Sequence, residues 1–158
     1  MRTLFAMHLN HGLHLAYCTN IHRGETWLET FASLQTYALA VRERVCPPRP
    51  FAIGLRLSHR AASELSDLSN LLEFQRWLER NDCYIFTING FPYGQFHGAR
   101  VKEQVYAPDW TSPERLIYTN LLFDLLAQLV PAEWKAASAP CPDRSRNSYI
   151  VANKKNHS

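Results

Sequence analysis

The sequence contains no run of apolar residues close to the roughly 18 that a membrane-spanning helix requires. Its first seven residues, MRTLFAM, are followed by histidines and are too short and too polar for a secretory signal peptide. We therefore expect a cytoplasmic protein. Hydrophobic residues make up 46% of the chain and charged residues 20%, which is typical of a folded globular domain and not of a disordered segment.

Cysteine is scarce and dispersed along the chain. Cys18, Cys46, Cys83 and Cys141 form no CxxC pair, so no zinc-knuckle or thioredoxin-type motif is present. We expect all four thiols to be reduced, and Cys18 and Cys83 lie in apolar strand-like runs where a thiol behaves as a small hydrophobe. The P-loop, GxGxxG, GxSxG and HExxH motifs are also missing. No single motif therefore identifies a chemistry.

The formal net charge of +3 lies entirely in the last 21 residues. Residues 138–158 carry four basic side chains against one acid, which leaves the first 137 residues neutral. A protein that binds the phosphate backbone gathers basic residues on its folded surface. The charge distribution therefore argues against a nucleic-acid partner, including the alternative of an endonuclease-like barrel acting on damaged DNA.

Three short apolar segments predict buried strands, at Leu13–Cys18, Phe51–Leu57 and Cys83–Ile88. The second and third are almost continuously apolar, as is typical of parallel strands covered on both faces. Apolar residues spaced three and four apart predict helices between them, over Trp27–Val45 and Leu68–Glu79. The strands begin 38 and 32 residues apart, and this alternation predicts right-handed βαβ units.

A further helix is predicted after Thr111-Ser112-Pro113-Glu114, a sequence with capping hydroxyls and an early proline. This helix is apolar on nearly every side up to Val130. No strand-like run follows it before Tyr149–Ala152. We therefore divide the chain into an α/β part over residues 1–131 and a divergent, disordered tail over residues 132–158.

The carboxyl ends of parallel strands are where α/β folds bind ligands. Asn20 and His22 follow the first predicted strand, and Asn89 follows the third. Asparagine both donates and accepts hydrogen bonds, which suits a polyhydroxylated ligand, although asparagine also simply tolerates the turn that leaves a strand. His22 could be a metal ligand, a general base or a contact to a sugar hydroxyl, and the alternative is a loop histidine with a local hydrogen bond.

A polar and aromatic loop of 23 residues follows the third strand, from Asn89 to Thr111. Loops of this length in compact domains are usually functional. His97 is a candidate metal ligand and catalytic residue, and Tyr93 could form an apolar wall against a sugar. Lys102 and Glu103 are candidates for phosphate binding and acid–base chemistry, with a solvated pair of opposite charges as the alternative.

Three unusual strings occur in a fixed order after YCTNIH at 17–22: TINGFPYG at 87–94, FHG at 96–98 and VKEQVY at 101–106. They resemble the metabolite-traffic protein family EboE, a family of xylose-isomerase-like TIM barrels, and the resemblance covers about Leu13–Pro131. It implies an α/β fold that is a partial (β/α)8 TIM barrel of three to four βα units. A complete barrel takes about 250 residues.

The resemblance also implies a function. An intact protein of this kind would handle a sugar or sugar-phosphate-like precursor, with a divalent metal ion at the barrel mouth assisting isomerisation. His22 and His97 would then be catalytic, His97 would bind the metal, and the substrate-binding residues would be Asn20, Asn89, Tyr93, Lys102 and Glu103. The superfamily's metal carboxylates lie mainly on later strands, so we expect this shorter chain to be inactive.

Two expectations about partners follow from the same interpretation. The alternative to an enzyme is a non-catalytic metabolite-binding partner in an export or prenyl-transfer assembly, in contact with other proteins of a metabolite-export cluster. A partial barrel also leaves strand edges and an apolar helix uncovered, so we expect self-association.

Overall fold

The computed structural model describes Met7, residues 14–91, residues 108–131 and the backbone of residues 148–151. The elements in chain order are β1 (Tyr17–Cys18), a 3-10 turn (Thr19–Ile21), α1 (Trp27–Ser33), a π-helical turn (Leu34–Ala38), α2 (Leu39–Val45), β2 (Phe51–Ser58), α3 (His59–Leu65), α4 (Leu68–Arg80), β3 (Cys83–Phe91), α5 (Pro113–Leu129) and β4 (Ser148–Val151). Among the residues described, no helix has the combination of length and apolarity needed to cross a bilayer.

The strands form one sheet in the order β1-β2-β3-β4. β1 pairs parallel with β2, and β2 pairs parallel with β3, which confirms the mixed α/β class and the predicted parallel arrangement of the first three strands. β1 covers only the last two residues of the predicted strand. β4 pairs antiparallel with Thr87–Gly90 of β3. It lies within the predicted tail, whose other residues fall outside the described part of the chain.

One irregularity interrupts the pairing of β2 with β3. Ile53 lies opposite Ile85, but the next residue, Gly54, lies opposite Thr87, so Phe86 is an extra residue in β3. Such a bulge locally increases the twist of the strand. After it, the ladder continues regularly and places Arg56 opposite Asn89.

Aromatic side chains from α1 and α4 pack together over the sheet. Trp27 stacks on Phe31, and both contact the ring of Phe74 edge-on, with centroids 4.9 and 5.8 Å away. Trp77 also meets Phe31 edge-on. These four rings are buried, so the predicted apolar faces of both helices are the ones that form the core at this point.

The π-helical turn interrupts the α-helical periodicity of the predicted helix over Trp27–Val45. The apolar positions up to Ala38 are buried, but Val45 is 66% exposed, so its predicted place in the core is wrong. A π-helical turn inserts one residue beyond the α-helical repeat. In α2, Leu39 and Val41 are only partly buried against the core, so the buried face of α1 weakens along α2 and ends before Val45.

Helix α5 packs on β3 and α3 through one face, not through all its sides as its composition suggested. Leu116 and Ile117 are 57% and 63% exposed. The buried face includes Tyr118, whose hydroxyl donates to the carbonyl oxygen of Leu57 at 2.7 Å. The contact between α5 and β3 is close at Gly90, where a Cβ atom would lie 2.6 Å from Leu122 Cδ1.

Candidate functional site

Two asparagine side chains meet at the carboxyl ends of the parallel strands. Asn20 lies in the 3-10 turn after β1, and Asn89 lies near the end of β3. The Asn89 Nδ2 group donates a hydrogen bond to Asn20 Oδ1 at 3.0 Å. The structure thus brings together two of the residues that the sequence nominates for substrate binding, and that role stays a prediction.

Asn89 is only 4% exposed and is incompletely hydrogen-bonded. Its Nδ2 group also lies 3.4 Å from Cys18 Sγ, so both amide hydrogens have an acceptor nearby. Its Oδ1 atom is buried and has no hydrogen-bond partner within the described residues. A buried acceptor without a donor costs free energy, so this atom is suited to a donor supplied by a bound molecule.

Arg56 is a buried cation next to the asparagine pair, and it is not among the site residues predicted from the sequence. Its side chain is 4% exposed and forms an ion pair with Glu25 at 2.9 Å. Its Nη1 group donates to the carbonyl oxygen of Gly24 at 2.7 Å, and the guanidinium carbon lies 5.7 Å from the centroid of Phe91. A single charged residue inside the apolar run FAIGLRL was the available signal, because burying a charge requires partners.

Hydroxyl groups fix the loop that carries Glu25 against the end of β2. Thr19 Oγ1 donates to the carbonyl oxygen of Gly54 at 3.1 Å and accepts from the backbone nitrogen of Arg56 at 2.8 Å. Ser58 Oγ donates to the carbonyl oxygen of Glu25 at 2.6 Å and accepts from the Ala61 nitrogen, which caps α3. The polar groups at this edge are therefore held by the sheet and by a helix start.

His22 lies between two tyrosines. Its Nε2 atom is 2.7 Å from the hydroxyl of Tyr17, and its ring stacks on Tyr37 at a centroid distance of 4.8 Å. Burial lowers the pKa of His22 from its ordinary value, so the ring is neutral at pH 7. Tyr37 belongs to the π-helical turn, which therefore contributes directly to the position of a predicted catalytic residue.

Four of the predicted site residues belong to the long loop that follows β3. Tyr93, His97, Lys102 and Glu103 lie outside the described residues. Their predicted roles, including the metal-binding role of His97, stay predictions.

The described residues do not by themselves fit a divalent metal ion. Within that part of the chain, no group of three His, Cys, Asp or Glu side chains is placed to hold one. The carboxylate of Glu25 at this edge is bound to Arg56. The ring of His22 is engaged by Tyr17 and Tyr37, and the two side-chain amides and the hydroxyls at this edge match neutral hydroxyl groups better than a cation.

The asparagine pair, the buried Arg56 and the tyrosine-bound His22 all lie at the carboxyl ends of β1 and β2 or near the end of β3. The chain matches no protein-family model, no curated protein and no solved structure.

Proposed function

We propose that residues 1–131 are the N-terminal part of a xylose-isomerase-like (β/α)8 barrel that handles a sugar or sugar-phosphate-like precursor at the carboxyl edge of its sheet. Three parallel strands with helices between them support the barrel interpretation. The observation that supports the binding function is the buried Oδ1 atom of Asn89, which has no hydrogen-bond partner among the described residues, beside the hydrogen bond from Asn89 to Asn20.

A hydroxyl-rich ligand supplies what this amide pair lacks. One hydroxyl group donates to Asn89 Oδ1, and another accepts from the Nδ2 group of Asn20, whose own Oδ1 already accepts from Asn89. An unsatisfied buried acceptor costs about 1–3 kcal/mol. A ligand hydroxyl removes this cost on binding, so the site favours polyols over apolar molecules.

The proposal has an enzymatic form and a non-catalytic form. In the first, the intact protein isomerises the metabolite with the help of a divalent ion, with His22 and His97 as catalytic residues. In the second, the chain only holds the metabolite as a partner in an export or prenyl-transfer assembly. The amides and hydroxyls that the described edge presents favour the second form, because hydrogen bonding is the chemistry they provide.

Side-chain amide resonances test the binding site directly. Titration with xylose, glucose and their phosphates should shift the ¹⁵N–¹H signals of Asn20 and Asn89. The Asn20→Ala and Asn89→Asp variants should lose binding, because one removes the donor to the ligand and the other removes the hydrogen bond that joins the pair. Asn120→Ala is the matched control, since Asn120 is exposed on α5. Undiminished binding in both site variants, or no binding by the unaltered chain, would refute the proposal.

A titration with Mg²⁺ or Mn²⁺ separates the two forms. Stoichiometric binding that is lost in His97→Ala supports metal-assisted isomerisation. Sugar binding without stoichiometric metal binding supports the non-catalytic partner.

A further inference from the structure

A small cleft lies beside the asparagine pair, between the turn that follows β1 and helix α1. The residues that line it are Thr19, His22, Arg23, Thr30, Ser33, Leu34 and Arg56. Its empty space, part of which is open to solvent, is about 220 Å³. Ligand pockets for whole small molecules measure about 300–1,000 Å³. The enclosed part of the cleft is much smaller than such a pocket, so the cleft suits at most one group at the end of a ligand.

The buried wall of the cleft presents an unused hydrogen-bond donor. Arg56 donates one hydrogen bond from Nη1 to the carbonyl oxygen of Gly24 and another from Nη2 to the carboxylate of Glu25. Its Nε atom is buried and has no hydrogen-bond partner in the described part of the chain. Because arginine is always protonated, this N–H group remains a donor at any physiological pH.

Two further donors border the same space. Gly24 has a φ of +154°, and a Cβ atom there would lie 3.0 Å from both the nitrogen and Oγ1 of Thr30, so glycine permits this close approach to Thr30, a buried residue that lines the cleft. Arg23 is exposed, and Ser33 Oγ donates to its carbonyl oxygen at 3.2 Å, which ties its backbone to α1.

The charges of Arg23, Arg56, Glu25 and Glu29 around the cleft balance, but both carboxylates already have partners. Glu25 neutralises Arg56 through their ion pair. The carboxylate of Glu29 is engaged by the backbone nitrogens of Glu25 and Thr26 at the start of α1. Arg23 forms no ion pair with any residue that the structure describes. A cleft that is bordered by several hydrogen-bond donors, and by an arginine whose ion-pair partner is not among the described residues, suits an oxyanion.

We propose that this cleft binds a phosphate group, with Arg56 Nε, Thr30 Oγ1 and the guanidinium of Arg23 as its donors. This inference deepens the proposed function, on which it rests for the nature of the metabolite: the asparagine pair holds hydroxyl groups while the cleft holds the phosphate of the same molecule. The strand register supports two neighbouring sites, one for hydroxyl groups and one for phosphate, because Arg56 lies directly opposite Asn89 in the β2–β3 ladder.

Binding of inorganic phosphate to the whole chain tests the cleft without the sugar. Arg23→Gln and Thr30→Val should each weaken phosphate binding, and Arg23→Gln should do so roughly tenfold, as expected when a charge-assisted hydrogen bond is removed. Both variants should fold, since Arg23 is exposed and valine has nearly the shape of threonine. Arg76→Gln is the control, because Arg76 is an exposed arginine on α4.

Each outcome decides the proposal. Phosphate binding that Arg23→Gln weakens and Arg76→Gln leaves unchanged supports it. Equal weakening by both arginine variants indicates unspecific attraction and overturns it, as does the absence of phosphate binding. Since inorganic phosphate carries no sugar hydroxyls, a failure of the asparagine site shows itself separately, as lost sugar binding with phosphate binding retained.

Discussion

Individual residues at the carboxyl edge show how one buried charge organises its surroundings. Arg56 is held in an otherwise apolar strand because Glu25, the Gly24 carbonyl group and the Phe91 ring replace the water it loses. Its partner Glu25 retains about a third of its exposure, so the pair sits at the border between interior and solvent. Removing one member of such an ion pair destabilises the fold, because the other member is left buried and unpaired.

We therefore expect Glu25→Ala to lower the free energy of unfolding by about 1–3 kcal/mol, because Arg56 loses its carboxylate while it stays buried. Urea denaturation followed by circular dichroism measures this loss. Glu43→Ala on the exposed side of α2 is the matched control and should change stability by less than about 0.5 kcal/mol. Equal effects of the two substitutions would show that the ion pair contributes nothing.

Two glycines in the sheet differ sharply in the space around them. A Cβ atom at Gly90 would meet Leu122 Cδ1 at 2.6 Å and the Tyr118 hydroxyl at 3.1 Å. At Gly54 the nearest atoms would lie at 3.5 Å or beyond, which is ordinary contact. Gly90→Ala should therefore destabilise the fold by about 1–3 kcal/mol, and Gly54→Ala should be nearly neutral. A thermal melt of both variants checks this, and a Gly54→Ala variant as unstable as Gly90→Ala would contradict it.

The protonation of His22 should make stability depend on pH. Burial lowers the pKa of His22 in the folded chain below its value of about 6.5 in an unfolded chain, so the unfolded state binds the proton more readily. The contribution of the neutral ring is complete above pH 6.5 and is lost as the pH falls through the folded-state pKa. The free energy of unfolding should therefore decrease more steeply below about pH 6.5 in the unaltered chain than in His22→Gln. Parallel pH profiles would contradict this, and an NMR titration of the ring gives the pKa itself.

At the scale of elements, the presence of most helices and strands was predictable from the sequence, but the side that a helix buries was not. Apolar spacing identified the helices over 27–45 and 68–79 and the strands at β2 and β3, because these segments bury one face or both. The buried side of α2 could not be predicted, since the residues 34–38 follow an α-helical pattern in sequence and wind as a π-helical turn in space. The inward orientation of Arg115 and Thr119 on α5 was missed for a similar reason: apolar residues surround that helix, so its sequence does not mark a buried face.

The start of α1 is fixed by a capping box. Thr26 Oγ1 accepts from the Glu29 nitrogen at 3.2 Å, and the Glu29 carboxylate accepts from the Thr26 nitrogen at 3.1 Å. Thr26→Ala should cost about 1 kcal/mol of stability, while Thr26→Ser should cost little because serine caps equally well. Chemical denaturation distinguishes them. Since Gly24 and Glu25 directly precede this helix, phosphate binding should weaken in Thr26→Ala and not in Thr26→Ser.

At the scale of the whole molecule, the two outer strands of the sheet pair with their neighbours over unequal lengths. The antiparallel strand β4 pairs with the second half of β3, whereas β1 pairs only through two residues. The parallel order of β1, β2 and β3 followed from two almost continuously apolar strands with helices between them. The position and direction of β4 did not, because a four-residue run such as Ser148–Val151 has no periodicity that indicates a partner.

Apolar surface on α5 should make the chain associate with itself at high concentration. Leu116 and Ile117 are adjacent and more than half exposed. Sedimentation velocity should show an average sedimentation coefficient that rises with protein concentration, and the double variant Leu116→Glu, Ile117→Lys should suppress the rise. Leu28→Lys on α1 is the control, since Leu28 is also exposed but lies on another helix. A chain that sediments as a monomer at every concentration would contradict the prediction.

The extra residue Phe86 in β3 has a geometric consequence for the whole site. Side chains of a regular strand alternate, so Asn89 and Ile85, four residues apart, would point to the same side. Here Ile85 is level with Ile53 and Asn89 is level with Arg56, and those two residues of β2 point to opposite sides. The insertion therefore reverses the parity of β3 halfway along its length. Without it, an amide would be turned towards the layer of helices, and the polar edge would have lost one of its two asparagines.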